Sequence, residues 1–316
     1  EMHPDILTLP QHFKNNGYAT IGTGKIFDPR NVEDDWHGPQ DAISWTQFFG
    51  KNPYNAQTGG PKAGHYHDPE VLALAEVVEA EGRAKGLKGK PLRNYMRDRG
   101  AGPAVECYDV PDDAYKDGAV ANRGVEQLDQ LKDSEQPFFL AVGFLKPHLP
   151  FVAPKKYWDL YDRASLPLAP FQHAPNGAPG CAIADYVEAR TYGGVPADGT
   201  ISDTTQRELI HGYLACVSYV DAQIGKLIAK LKETGQYEDT VIVLWGDHGF
   251  HLGDKHLFGK HTNYEEATRS PLIIANAGLQ AGTASYAPVN LIDLFPTLCE
   301  LAGVATPGGL DGVSLV

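Results

Sequence analysis

At residues 241–245 the chain reads Val-Ile-Val-Leu-Trp, and Gly246, Asp247, His248 and Gly249 follow without a spacer. A run this short, apolar and rich in β-branched residues predicts a strand buried on both faces. Such strands belong to parallel sheets covered by helices, so this feature narrows the fold class more than any other. In open α/β sheets ligands bind just beyond the carboxyl ends of strands, which is where Asp247 and His248 fall. A loop carrying His251, Lys255, His256, Lys260 and His261 comes next, and residues 271–275 supply a second buried strand. A carboxylate beside an imidazole can hold a cation, and nearby ammonium groups can hold an anion. The combination points to metal-assisted attack on an anionic ester. On spacing alone, a capping Asp and a structural His on a tight turn explain the pair equally well.

The rest of the chain alternates in the same style. Residues 7–15 have helical spacing and stop at Asn16–Gly17, and 18–22 read as a strand with Gly24 and Lys25 in the turn after it. Residues 28–70 show no sustained period and read as irregular excursions. Residues 76–102 are charged and glycine-punctuated, which reads as a solvated surface insertion. An amphipathic helix is expected over 117–132, with Val120, Val125, Leu128 and Leu131 on one side. A buried strand follows over 138–144, and then the loop Lys146–Pro147–His148–Leu149–Pro150–Phe151, stiffened by its two prolines. Residues 152–200 are rich in Pro and Gly and read as a substrate-side loop or surface padding. The longest helix spans 203–232, capped by Ser202 or Asp203, with a core stripe of Leu209, Tyr213, Val217, Val220, Ile224, Leu227 and Leu231. A last helix covers 291–303. Together these elements predict an α/β fold: a mixed, mostly parallel sheet with helices on both faces.

Composition sets the outer limits. The chain has 316 residues, enough for one large domain, and no apolar run of membrane-spanning length. A net charge of −13 argues against nucleic acid as a partner, and any polyanionic substrate would need local positive charge to approach. The four cysteines, Cys107, Cys181, Cys216 and Cys299, stand far apart with no CxxC pair, so neither a disulfide scaffold nor a zinc knuckle is expected. Cys216 and Cys299 lie in helix-like apolar patterns and read as small core residues.

The segment DHGFHLGDKHLFGKHTNYEEATRSPLII resembles the C-terminal active-site segment of the sulfatases, within the alkaline phosphatase superfamily, most closely the iduronate-2-sulfatase type. GYATIGTGKIF at 17–27, PFFLAVGFLKPHLPF at 137–151 and FPTLCELAG at 295–303 agree in the same order. The resemblance implies a sulfuric ester hydrolase acting on a sugar or glycosaminoglycan-type substrate. It implies that Asp247 and His248 help ligate one calcium ion, and that Lys25 and Lys260 contact the sulfate. His148 would protonate the leaving oxygen, a role suited to a group that titrates near neutrality. Phe250, His251 and His261 would face the substrate, although a core position is the safer reading of Phe250. The implied location is the periplasm or the exterior of a bacterium.

The chain also departs from the family pattern. Asp28 stands where the iduronate type has a histidine, and a carboxylate there cannot carry positive charge beside a sulfate. None of the cysteines has the Cys-x-Pro-Ser-Arg context that sulfatases oxidise to formylglycine, the nucleophile. Asp34 and Asp35 lie on the wrong side of the Lys25 motif to be the family's N-terminal calcium ligands. The expectation is that residues 1–316 are most of the large catalytic domain, with the nucleophile segment upstream and the small C-terminal domain absent. The alternatives are a phosphonate or phosphodiester hydrolase of the same superfamily, and a non-catalytic relative that binds sulfated glycan.

Overall fold

Helix α1, Leu9–Asn15, opens the chain with a capping box: Thr8 Oγ1 accepts from the Gln11 backbone and the Gln11 side chain reaches back to the Thr8 N–H. In this computed structural model residues 6–27, 41–49, 66–182, 187–275 and 280–316 are described. Strand β1, Ala19–Gly24, follows and is buried throughout. It runs two residues beyond the predicted strand and delivers Lys25 to its carboxyl end. Strand β2, Gln47–Phe49, lies in the stretch read as irregular and pairs parallel to β1. Asp28, Asp34 and Asp35 lie outside the described residues.

The surface insertion predicted from 76 onward is two packed helices, α2 over Pro69–Ala84 and α3 over Gly89–Arg97, which bury only Val78, Gly82 and Leu92. Strand β3, Val105–Tyr108, leads to helix α4, Lys116–Leu131, and then to β4, Phe138–Gly143. β4 pairs parallel to β1 from Ala19↔Phe138 to Gly24↔Gly143, so the two strands end together. Phe139 meets Phe13 of α1, with ring centroids 5.1 Å apart. Val142 lies against Gly124 of α4. Positions 139 and 142 point to opposite faces of a strand, so helices cover both faces of this sheet.

Strand β5, Phe151–Pro154, is fully buried, pairs parallel to β3 and runs into the short helix α5, Lys155–Trp158. Helix α6, Asp203–Glu233, is capped by Ser202 and lies over β5 and α4. Its buried face is centred on Leu209, Ala215, Cys216, Tyr219 and Gln223, while Val217 of the expected stripe is exposed. The shift has a packing cause: Gly212 sits against Phe151 and Trp158, turning that side of the helix inward. Cys216 and Cys299 are buried, as their patterns predicted.

Strand β6, Ile242–Trp245, departs furthest from expectation. It pairs only with β9, Leu272–Ala275, antiparallel, and is half-buried rather than enclosed. Trp245 is 44% exposed and Ile273 55%. Among the described residues no strand covers the other edge of β6, or the edge of β4 away from β1. Between β6 and β9 lie a two-stranded hairpin, β7 over His251–Leu252 and β8 over Phe258–Gly259, and helix α7, Glu265–Thr268. The predicted last helix is a turn of 3₁₀ helix at Leu291–Asp293 continuing into α8, Leu294–Leu301. Among the described residues no helix is long and apolar enough to cross a membrane.

Candidate active site

The parallel ends of β1 and β4 begin the site. The Lys25 N–H donates to the Gly143 carbonyl at 2.8 Å. A Cβ on Gly143 would lie 1.9 Å from the Lys25 carbonyl oxygen, and one on Gly24, whose φ is +83°, would lie 2.1 Å from that of Gly143. Only glycines let the two chains close here. Past Gly143, the buried Asp117 at the start of α4 accepts from the backbone N–H groups of Leu145 at 2.9 Å and Lys146 at 2.8 Å. Burial raises its carboxyl pKa, and those two bonds oppose the rise. Lys146 is buried as well, and its ammonium donates to the carbonyls of His148 at 3.0 Å and Pro150 at 2.6 Å. Burial lowers its pKa. Lys146 therefore braces the loop instead of meeting substrate, and His148 is held on a frame pinned at several backbone atoms.

The braced His148 meets a residue that the sequence did not mark. Its Nε2 lies 3.2 Å from Glu188 Oε1, and Lys260 Nζ lies 3.1 Å from Glu188 Oε2. Burial pushes the Glu188 carboxyl up, but the His148 hydrogen bond and the Lys260 charge outweigh it and bring it down to about 2. The carboxylate is therefore an acceptor only. His148 Nδ1 lies 2.7 Å from the Leu149 carbonyl, also an acceptor only. Both ring nitrogens of His148 thus face acceptors, which fixes the ring between the loop backbone and Glu188. Lys260 is half-buried in this pair, with 13% of its side chain exposed, and is no free loop lysine. Glu188 sits in a short 3₁₀ turn of the segment read as substrate loop or padding, 72 residues from Lys260. No local pattern could have joined the two.

A second group forms at the end of β6. Asp247 Oδ2 lies 3.7 Å from Lys25 Nζ, and Asp247 Oδ1 lies 3.6 Å from His248 Nε2. His248 Nδ1 is 2.7 Å from the Gly249 carbonyl, a contact that turns Nε2 towards Asp247. An imidazole oriented by a carbonyl in this way is set to ligate a metal. One carboxylate and one imidazole suit a cation but make a small part of the six to eight oxygens calcium takes. Among the described residues no ion pair or hydrogen bond links this group to the one around Glu188.

The residues expected to face substrate are placed differently. His251 is completely buried, its Nε2 2.8 Å from Thr262 Oγ1, because pairing of β7 with β8 turns it inward; it cannot touch a substrate as placed. Phe250 packs among the core aromatics, 5.8 Å from both Phe151 and Tyr213. His261 is exposed.

The Sulfatase family model matches residues 3–304. A "Sulfatase" from Formosa agariphila is 34% identical over the whole chain, which covers 56% of that protein. The iduronate 2-sulfatase of Mus musculus is 30% identical, covering 95% of the chain and 55% of the relative. The chain thus spans little more than half the length of these relatives. Among solved structures, a phosphonate monoester hydrolase from Silicibacter pomeroyi superposes with a TM-score of 0.67 at 25% identity, over 99% of the chain and 61% of its own.

Proposed function

Because the chain belongs to the sulfatase family, we propose that the protein carrying it hydrolyses sulfate esters, on a sugar or glycosaminoglycan-type substrate. The observation that carries the reading is His148, hydrogen-bonded through both ring nitrogens and sharing Glu188 with the half-buried Lys260. In this reading His148 Nε2 stands where a general acid gives its proton to a departing sugar oxygen. Lys25 and Lys260 neutralise the sulfate oxygens as charge shifts onto the leaving group. Glu188 is a positioning residue: it aims the His148 ring and the Lys260 ammonium at a common point, from which both can turn to the sulfate ester. Asp247 and His248 would help hold a calcium ion, which when bound would supply positive charge to polarise the sulfate. Nucleophilic attack belongs to a formylglycine upstream of Glu1. In this reading residues 1–316 are most of the large catalytic domain, without the nucleophile segment and the small C-terminal domain. Among the described residues no strand pairs with the outer edges of β4 and β6, which supports that division, since apolar strands of this kind are built to be enclosed. A bacterial relative and a chain without a membrane-spanning helix among its described residues support a periplasmic or extracellular location.

The likeness to a phosphonate monoester hydrolase favours one competing reading. The test is to assay the whole protein on matched aryl sulfate and aryl phosphonate esters, with Lys260→Ala and His148→Ala beside it. Sulfate turnover is expected to exceed phosphonate turnover and to fall about a hundredfold or more in Lys260→Ala. Preference for the phosphonate would overturn the substrate assignment. Sulfate turnover within twofold of wild type in both variants would overturn the site.

A further inference from the structure

A second cluster of metal-ligating groups lies outside the site just described. His251, Asp254 and Glu266 each offer one ligand atom, and these atoms all lie within 4.8 Å of one another. His251 belongs to β7, Asp254 to the tight turn after Gly253, and Glu266 to α7. The histidine is completely buried, and the two acids are half-buried. Its Nε2 is engaged by Thr262 Oγ1 at 2.8 Å, while its Nδ1 is buried without any hydrogen-bond partner. An unpartnered buried ring nitrogen is costly unless something fills its lone pair. The Thr262 hydroxyl can accept from Nε2–H, and in that tautomer the Nδ1 lone pair is free for a metal.

We propose that His251 Nδ1, Asp254 and Glu266 bind a borderline first-row divalent cation of the zinc class, at a site separate from Asp247 and His248. One nitrogen and two carboxylate oxygens fit such an ion, whereas calcium prefers oxygen alone and more of it. Zinc bonds of about 2.1 Å require ligand atoms about 3.4 Å apart, so the cluster must contract by an ångström or so. One group already stands in for a cation there: Lys255 Nζ lies 2.9 Å from Glu266 Oε1 and 4.4 Å from the centre of the Tyr264 ring. The ammonium neutralises Glu266 but leaves His251 Nδ1 empty, which a metal would not. The ion would tie β7, the turn and α7 into one unit on either side of the strand that leads to Lys260.

The experiment titrates the protein with Zn²⁺ by calorimetry at neutral pH, and with Co²⁺ followed by visible absorption. One equivalent is expected, with a Co²⁺ spectrum of low coordination. His251→Ala and Glu266→Gln should each weaken binding at least tenfold, the second keeping the test informative if the buried substitution fails to fold. Lys255→Met should tighten binding, because the competing ammonium is gone. Asp247→Asn should leave it unchanged. His173 and His256 form an exposed pair with ring nitrogens 3.3 Å apart, which could take up zinc on its own. Loss of binding in His256→Ala with full binding in Glu266→Gln would assign the metal to that pair and overturn the proposal. Absence of binding at millimolar Zn²⁺, or no tightening in Lys255→Met, would overturn it as well.

Discussion

Replacing Glu188 by Gln keeps the shape of the side chain and removes the charge on which His148 and Lys260 converge. A carboxyl brought from 4.5 down to about 2 by folding contributes roughly 3 kcal/mol, at about 1.4 kcal/mol per pH unit. Little is lost to solvent screening, since only 11% of the Glu188 side chain is exposed. The sign follows from the direction of the change. Glu188 is more acidic in the folded state, so its contribution is complete above pH 4.5 and is lost as pH falls through about 2. In Glu188→Gln the Lys260 ammonium remains half-buried without a counter-charge, which adds to the loss at neutral pH. Urea unfolding of wild type and variant should therefore differ by roughly 3 kcal/mol or more at pH 6, and the gap should shrink steadily between pH 4.5 and pH 2.5. A gap below about 0.5 kcal/mol at pH 6 would mean that the carboxylate is not paired as described. A gap that stays constant down to pH 2.5 would mean that the loss comes from packing and not from charge.

Lys146→Met should cost about 2 kcal/mol in urea unfolding, because the carbonyls of His148 and Pro150 lose a buried donor; a variant as stable as wild type would show that water replaces the ammonium. Gly143→Ala should cost about 3 kcal/mol or more, read as a lower melting temperature, since its Cβ would lie 1.9 Å from the Lys25 carbonyl oxygen; an unchanged melting temperature would refute the close approach. Amide exchange along β4 and β6 should be at least tenfold slower in the whole protein than in residues 1–316 alone; equal rates would mean that nothing pairs with their free edges.

The parts of the fold that are legible in the sequence are those written in local pattern. Ser202 and the long apolar periodicity behind it announce α6, and helical spacing that stops at Asn16–Gly17 announces α1. Lys25, His148 and Asp247 are legible as strand-end residues because each follows a short apolar run at a glycine or proline break. What escaped depends on contacts between distant segments. Glu188 has no motif of its own and acquires a role only when β5 and the turns after it bring it under the loop that follows β4. His251 looked like a loop histidine beside four other basic residues, yet one antiparallel pairing of two residues with two buries it completely.

The β6 strand misled for a different reason, and it bears on the site. Its sequence predicts burial on both faces, and that prediction presumes neighbours on both edges. β4 carries the same kind of sequence and has the same open edge. Phe139 of β4 and Val243 of β6 nevertheless pack against one apolar cluster, formed by Phe13 with Leu298 and Cys299. The two strands therefore share a helical cover without pairing to each other. A strand laid between them would bury both edges and repair the mismatch between sequence and exposure. If parallel to β4, it would end beside Lys25 and Asp247, where the proposed metal lacks most of its oxygens. The same addition that completes the sheet would thus complete the metal shell, so stability and activity should be gained together rather than separately.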